Sequence, residues 1–513
     1  MAELIVQARW LVTGVQDRHT PIGIDDGAVL SRDGTIVATG LLDEMKRLAP
    51  TATVKTYPDH VMLPGFVNSH HHVGMTPLQL GSPDYALELW FAGRMPARRI
   101  DLYLDTLYSA FEMIASGVTT VQHIHGWMPG GYDAIHGAAT KVLDAYRSIG
   151  MRASYCYAVR EQNRLVYEDD ETFCAKLPSP LGEELSAYLK AQAMPFSDFL
   201  KLFDQLTAEN QGQRLTRIQL APANLHWCSD ESLVALHEKA TAANVPMHMH
   251  LLETAYQKEY ARRRTGKTAV RHLHDLGVLS PRMTLGHSVW MTQEDVDIAA
   301  QTGTCICHNC SSNFRLRSGI APLNAFEKKG MTVGMGLDEA GINDDRDMLQ
   351  ELRLVLRAHR VPGMDDDDVP SCPQVLKMAT ESGAKTTAFG ETIGKLEAGR
   401  GFDAVLLNWK TATYPFQDPD IPMLDAVMQR AKTNAVDAVF IDGEVVYADG
   451  RFTNIDRDAV LNEIADVLAK PRTPDEISRR NLGRAVFPHV KAFYDGYIGD
   501  GPVQPFYRQS SSV

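Results

Sequence analysis

The chain has 513 residues, 44% hydrophobic and 22% charged, with a formal net charge of −13. This describes a globular protein long enough for a large barrel plus a smaller module, and the acidic balance argues against a nucleic-acid partner. No apolar run approaches the roughly 18 residues of a membrane span, the opening "MAELIVQARW" lacks the basic start and apolar core of a signal peptide, and seven cysteines are too few for a disulfide framework.

The expected location is therefore the cytoplasm, with no membrane partner. In chain order, "LIVQARWLVTG" and "DGAVLSRDGTIVATG" read as short strands with Asp-Gly turns. Then "LPGFVNSHHHVGMTP" places His70, His71 and His72 in a row. On an extended chain side chains alternate faces, so His70 and His72 point one way and His71 the other. The segment that follows, "VGMTPLQLGSPDYALELWFAGRMPARR", offers Gln79, Glu88 and Trp90 as candidates for a pocket wall.

Beyond it one grammar repeats. An amphipathic helix stops at Gly117 before "VTTVQHIH", another at Gly150 before "MRASYCYAV", and a third at Asn244 before "VPMHMHLLET". Two more stop at Gly303 before "TCICHN" and at Gly330 before "MTVGMGLD". Glycine or asparagine after the last turn is the usual left-handed cap. The strands are short, apolar and not cleanly alternating, as expected when both faces of a parallel sheet are buried. This pattern predicts a (β/α)8 barrel or a doubly wound sheet. No phosphate-cradling glycine loop follows any strand, which counts against nucleotide binding of the second kind. "CICHNC" (305–310) reads as small residues on a buried strand rather than a thiolate metal site.

Towards the end, "FDAVLLNW" and "AVFIDGEVVYADGRFT" repeat the signature of the first strands. The expected organisation is a barrel over 63–397, a composite β-sandwich from 1–62 and 398–455, and a helical extension over 456–513. That extension reads as helical until shortly before Pro488 and irregular after it.

His250, Glu253, His287 and Asp338 stand at or just after successive strand ends. In a (β/α)8 barrel those ends converge on one face. With His70 and His72 they make a set of imidazoles and carboxylates suited to zinc, Fe(II) or another divalent metal.

The chain resembles the amidohydrolase superfamily in its deaminase and triazine-hydrolase branch. The resemblance rests on "PGFVNSHHH", "HMHLLET", "LGHSVWM", "CHNCSSNFRLRSGIAPL", "GMGLDEAGINDDRDMLQELRL" and the closing "AGRGFDAVLLNW" with "VFIDGEVVYADG", in that order. It implies an α/β fold with a TIM barrel, and one divalent metal (zinc, with iron or cobalt as other options) on His70, His72, His250 and Asp338. By the same resemblance Glu253 would shuttle a proton, His287 would orient water or substrate and stabilise an oxyanion, Asp338 would also take the proton of the attacking water, and Asn313 would lie near the rim.

Two departures matter. The fourth-strand candidate "TRIQLAPANLH" has no lysine to bridge two metals, which favours one. Pro222 is followed by Ala223 where many relatives have histidine, with His226 as a possible substitute. His125, His226 and His308 are further candidates for substrate contact. The expected activity is hydrolysis of a non-peptide C–N bond in a small cyclic or aromatic substrate. The alternatives are an amide, phenylurea or (thio)carbamate hydrolase and, more remotely, a non-catalytic dihydropyrimidinase-like scaffold. A homo-oligomer, dimer or larger, is the expected assembly.

Strand alternation makes a first prediction. Elemental analysis of dialysed protein should find about one divalent metal per chain, lost in His70→Ala and His72→Ala but kept in His71→Ala. Equal loss in all three variants would contradict it.

Overall fold

The computed structural model describes residues 3–72, 74–126, 128–361 and 363–499. At its centre are short strands: β1 (Phe66–His71), β2 (Val118–His125), β3 (Arg152–Val159), β4 (Thr216–Ile218, resumed at Ala221–Pro222), β5 (Met247–Leu251), β6 (Met283–His287), β7 (Cys305–His308) and β8 (Val333–Met335). β1 to β4 form one parallel sheet and β5 to β8 another. Single parallel bridges, Leu220 to Met247 and His71 to Asp338, join the two. The ring closes as a (β/α)8 barrel.

The local causes are those of the sequence pattern. Helix Tyr132–Ile149 buries Ile135, Ala139, Val142 and Tyr146 on one stripe and ends at Gly150, whose φ is +84°. Helix Asp230–Ala243 ends likewise at Asn244, φ +55°. Every residue of β2 is buried, which explains why it does not alternate.

Both ends of the chain enter one nine-stranded sheet beside the barrel. Strand Thr53–Pro64 pairs in parallel with Glu3–Val15 and antiparallel with Ala404–Asn408. Where the sequence suggested a sandwich, the described strands form this single sheet. Its own core joins Val6, Val29 and Met62 to Phe402, Leu406 and Phe440. Strand Thr53–Pro64 passes through Gly65 directly into β1, so the sheet aims the histidine-bearing strand into the barrel.

The C-terminal segment differs from expectation. Helix Pro474–Phe493 runs through Pro488 instead of ending before it. A proline removes one main-chain donor and usually breaks a helix, but here Val486 and Val490 on either side are fully buried and anchor both turns. Residues 500–513 of the predicted extension lie outside the described residues.

One buried cation ties the barrel to the sheet. Arg152, at the start of β3, donates to Asp403 at 2.7 Å and Asp442 at 2.9 Å, with its side chain 5% exposed. Removing it leaves the buried Asp403 carboxylate without its cation, while Asp442 keeps Arg214 at 2.7 Å. Arg152→Ala should cost about 3–5 kcal/mol in urea unfolding; a loss under about 1 kcal/mol would show that the seam does not depend on it.

Candidate active site

The barrel's closure brings β8 beside β1, and the Asp338 amide donates to the His70 carbonyl at 2.8 Å. His70, His72, His250, His287 and Asp338 meet there. His70 Nε2 and His250 Nε2 each lie 3.0 Å from His72 Nε2, and Asp338 Oδ1 lies 3.2 Å from His72 and 3.7 Å from His70. Gly336 makes room for the His70 side chain: a Cβ there would stand 2.5 Å from His70 Cβ. His287, Asp338 and Leu252 all have left-handed backbone, with φ of +67°, +54° and +52°. Such conformations are costly for residues with a Cβ and gather where a site dictates side-chain direction.

The hydrogen bonds define which nitrogen carries a lone pair. His72 Nδ1 faces the Ile124 carbonyl at 2.7 Å and His250 Nδ1 faces the Ala223 carbonyl at 2.8 Å. A carbonyl only accepts, so both Nδ1 atoms are donors and both Nε2 atoms are bare in the neutral ring. Burial, and then the neighbouring imidazoles, push His70 and His250 well below the usual histidine range, which keeps them neutral. The Nε2 atoms of His70, His72 and His250 thus converge with the Asp338 carboxylate, whose hydrogen bond and charge raise the His72 pKa against its burial. One proton cannot serve all four, whereas a divalent cation can, and neutral imidazole with carboxylate is the donor chemistry of zinc. The residues present fit a metal.

Around this set lies a supporting layer. His70 Nδ1 is 2.8 Å from His248 Nε2. His287 Nδ1 meets Asn313 Oδ1 at 3.0 Å, and its Nε2 meets Asn309 Nδ2 at 3.2 Å. The Ser312 hydroxyl donates to Asp338 Oδ2 at 2.5 Å. Glu253 is buried, with Oε2 at 3.7 Å from His287 Nε2. Burial, then the Asp338 and Glu88 carboxylates, raise the Glu253 carboxyl well above its ordinary range, so it is poised to hold a proton.

A cavity of about 290 Å³ opens onto the cluster. Trp90 and His125 line it, as the sequence suggested, together with Phe91 and Trp227. Three of the proposed contacts fall elsewhere. Gln79 is exposed and closes its own loop by accepting from the Thr76 amide and donating to Tyr108. His226 is packed beside Tyr167, Trp227 and Tyr260 behind the wall. His308 pairs with His359 at 2.8 Å, away from the cavity. A fourth, Asn313, bonds to His287 Nδ1 and is not among the residues that line the cavity. His71 faces outward to Ser109 at 3.2 Å.

His248 was missed, although it follows the same alternation as His250 on β5 and could have been found by the argument used for His70 and His72. Ser312 carries no comparable signal.

Residues 61–446 match the model of the amidohydrolase family. The chain belongs to that family. A 5-methylthioadenosine/S-adenosylhomocysteine deaminase of Thermodesulfovibrio yellowstonii is 28% identical over 469 residues, covering 90% of this chain and 96% of the relative. Among solved structures, the triazine hydrolase of Arthrobacter aurescens has a TM-score of 0.77 at 20% identity, covering 92% of this chain and 100% of that one. An adenosine deaminase from Xanthomonas campestris, solved with bound zinc, has a TM-score of 0.72 at 21% identity, with 94% and 99% covered. This amidohydrolase is thus a metal-dependent hydrolase of carbon–nitrogen bonds other than peptide bonds.

The supporting layer makes a prediction of its own. His248→Ala leaves every convergent donor in place but removes the partner that orients His70. Metal affinity, measured by competition with a chelator, should fall about 10–100-fold; unchanged affinity would remove His248 from the account.

Proposed function

We propose that this amidohydrolase is an aminohydrolase using one zinc ion, releasing ammonia from an amino-substituted ring. The observation that carries the reading is the placement of a buried, proton-holding Glu253 beside the convergent His70, His72, His250 and Asp338. The name of the Thermodesulfovibrio relative, a deaminase, supports it.

His70, His72, His250 and Asp338 would hold a divalent cation, whose Lewis acidity would lower the pKa of a water from about 15.7 towards roughly 7. The remaining work belongs to the chain. Asp338 Oδ2, steadied by the Ser312 hydroxyl, takes the proton of the attacking water. His287 is 3.7 Å from that oxygen. A proton passed to its Nε2, which otherwise accepts from the Asn309 amide, makes it cationic where the oxyanion develops. Glu253 delivers its proton to the departing nitrogen, the poor leaving atom of such substrates. Trp90, Phe91 and Trp227 give a flat ring an apolar wall.

That apolar wall also favours one second reading, release of a substituted amine from an N-aryl urea or amide. A panel of amino-heterocycles and aryl ureas, read separately for ammonia and amine, separates the two. Glu253→Gln should keep its metal and lose about 10²–10⁴-fold in kcat. A near-native rate in that variant would remove Glu253 from the proton path.

A further inference from the structure

The cavity wall contains a feature that the reaction above does not use. Five arginines border the cavity of a chain with net charge −13: Arg94, Arg98, Arg99, Arg160 and Arg479. Arg94 is matched by Glu339 at 2.9 Å. Arg479 is different. It comes from helix Pro474–Phe493, beyond the residues 61–446 that match the family.

Arg479 is 6% exposed. Its Nη1 donates to the carbonyls of Met95 at 3.0 Å and Ala97 at 3.1 Å, and its Nε to Asp475 at 3.0 Å. Arg472, from the same segment, donates to the Pro96 carbonyl at 3.1 Å. These bonds fix the guanidinium against the 95–97 stretch of wall. Its buried Nη2 meets no acceptor among the described residues. An unmet charged donor is costly, and a clamp needing only Nη1 and Nε does not explain it. Nearby, Arg99 shares Asp475 at 3.7 Å and Arg98 faces Glu476 at 3.5 Å. Three guanidinia thus stand against two carboxylates, and Asp475 is 66% exposed, so it neutralises weakly.

We propose that Arg479, with Arg99 beside it, binds an oxyanion group carried by the substrate, so that the substrate is an amino-substituted ring with an anionic arm. The inference deepens the aminohydrolase reading and rests on it for the ring; the anion subsite is tested separately. With Nη1 and Nε already bonded, the Nη2 amino group of this held guanidinium is the donor left for one oxygen of a carboxylate or phosphoryl group.

The test is binding rather than turnover. Zinc-loaded full-length protein is titrated by calorimetry with benzoate, phenylphosphonate and neutral benzamide. Wild type should bind one of the two anions at least about tenfold more tightly than benzamide, and which of them wins distinguishes carboxylate from phosphoryl. Arg479→Gln should abolish that preference while benzamide binding stays within about threefold. Arg99→Gln, at a half-exposed position outside the clamp, should weaken the anion about threefold and guards against a folding failure of the first variant. Anion binding unchanged in both variants, or no preference in wild type, would overturn the subsite. Equal loss for anion and benzamide in Arg479→Gln, with no anion-selective effect of Arg99→Gln, would make Arg479 a structural clamp. If no ammonia is released from any amino-substituted ring while the anion preference holds, the aminohydrolase reading fails and the subsite stands.

Discussion

Two imidazole lone pairs that face one another at 3.0 Å are the constraint on which the rest of this site depends. They are lone pairs because the opposite nitrogens of His72 and His250 are committed to the carbonyls of Ile124 and Ala223. Those carbonyls belong to β2 and to the residue after β4, so barrel strands, not loops, dictate the tautomers. Bare nitrogens at this distance repel unless a positive charge lies between them. Adding His70 Nε2 and Asp338 Oδ1 makes the requirement one for a multivalent centre.

The fold meets this requirement through closure. Asp338 follows β8 and His70 and His72 end β1, some 270 residues apart in sequence, and they become neighbours only because the eighth strand returns to the first. The flanking sheet contributes direction: strand Thr53–Pro64 enters β1 across a single glycine. The C-terminal segment adds Arg479 to the cavity wall from outside the barrel, with Arg472 and Arg479 hooked onto residues 95–97. Chemistry is thus held by parallel strands, while much of the cavity wall comes from the segments between and beyond them.

That division explains what could be read from the sequence. Glycine and asparagine caps, period-3.6 stripes and solid apolar strands are local, so the barrel elements and the C-terminal strand positions of His250, His287 and Asp338 follow from short windows. The opposite orientation of His71 follows from period two alone. Pocket walls are not local. Gln79, His226 and His308 have suitable chemistry, but loops send Gln79 to solvent and His226 behind the wall, and His308, the last residue of β7, pairs with His359, none of which a short window encodes. The helix through Pro488 survives because tertiary burial of Val486 and Val490 outweighs a lost main-chain bond. Arg479 looks like an ordinary surface arginine until its carbonyl partners are seen.

The central claim is that the cation sits among nitrogen and oxygen donors only. Among the described residues two other buried groups offer sulfur, His70 with His248 and Cys307, and His308 with Cys310 and His359. X-ray absorption at the metal edge of the purified protein separates them directly. The account predicts a first shell of nitrogen and oxygen at about 2.0–2.2 Å, with the outer scattering of imidazole rings and no sulfur. A sulfur shell at about 2.3 Å would contradict it and move the metal to one of the cysteine-bearing groups.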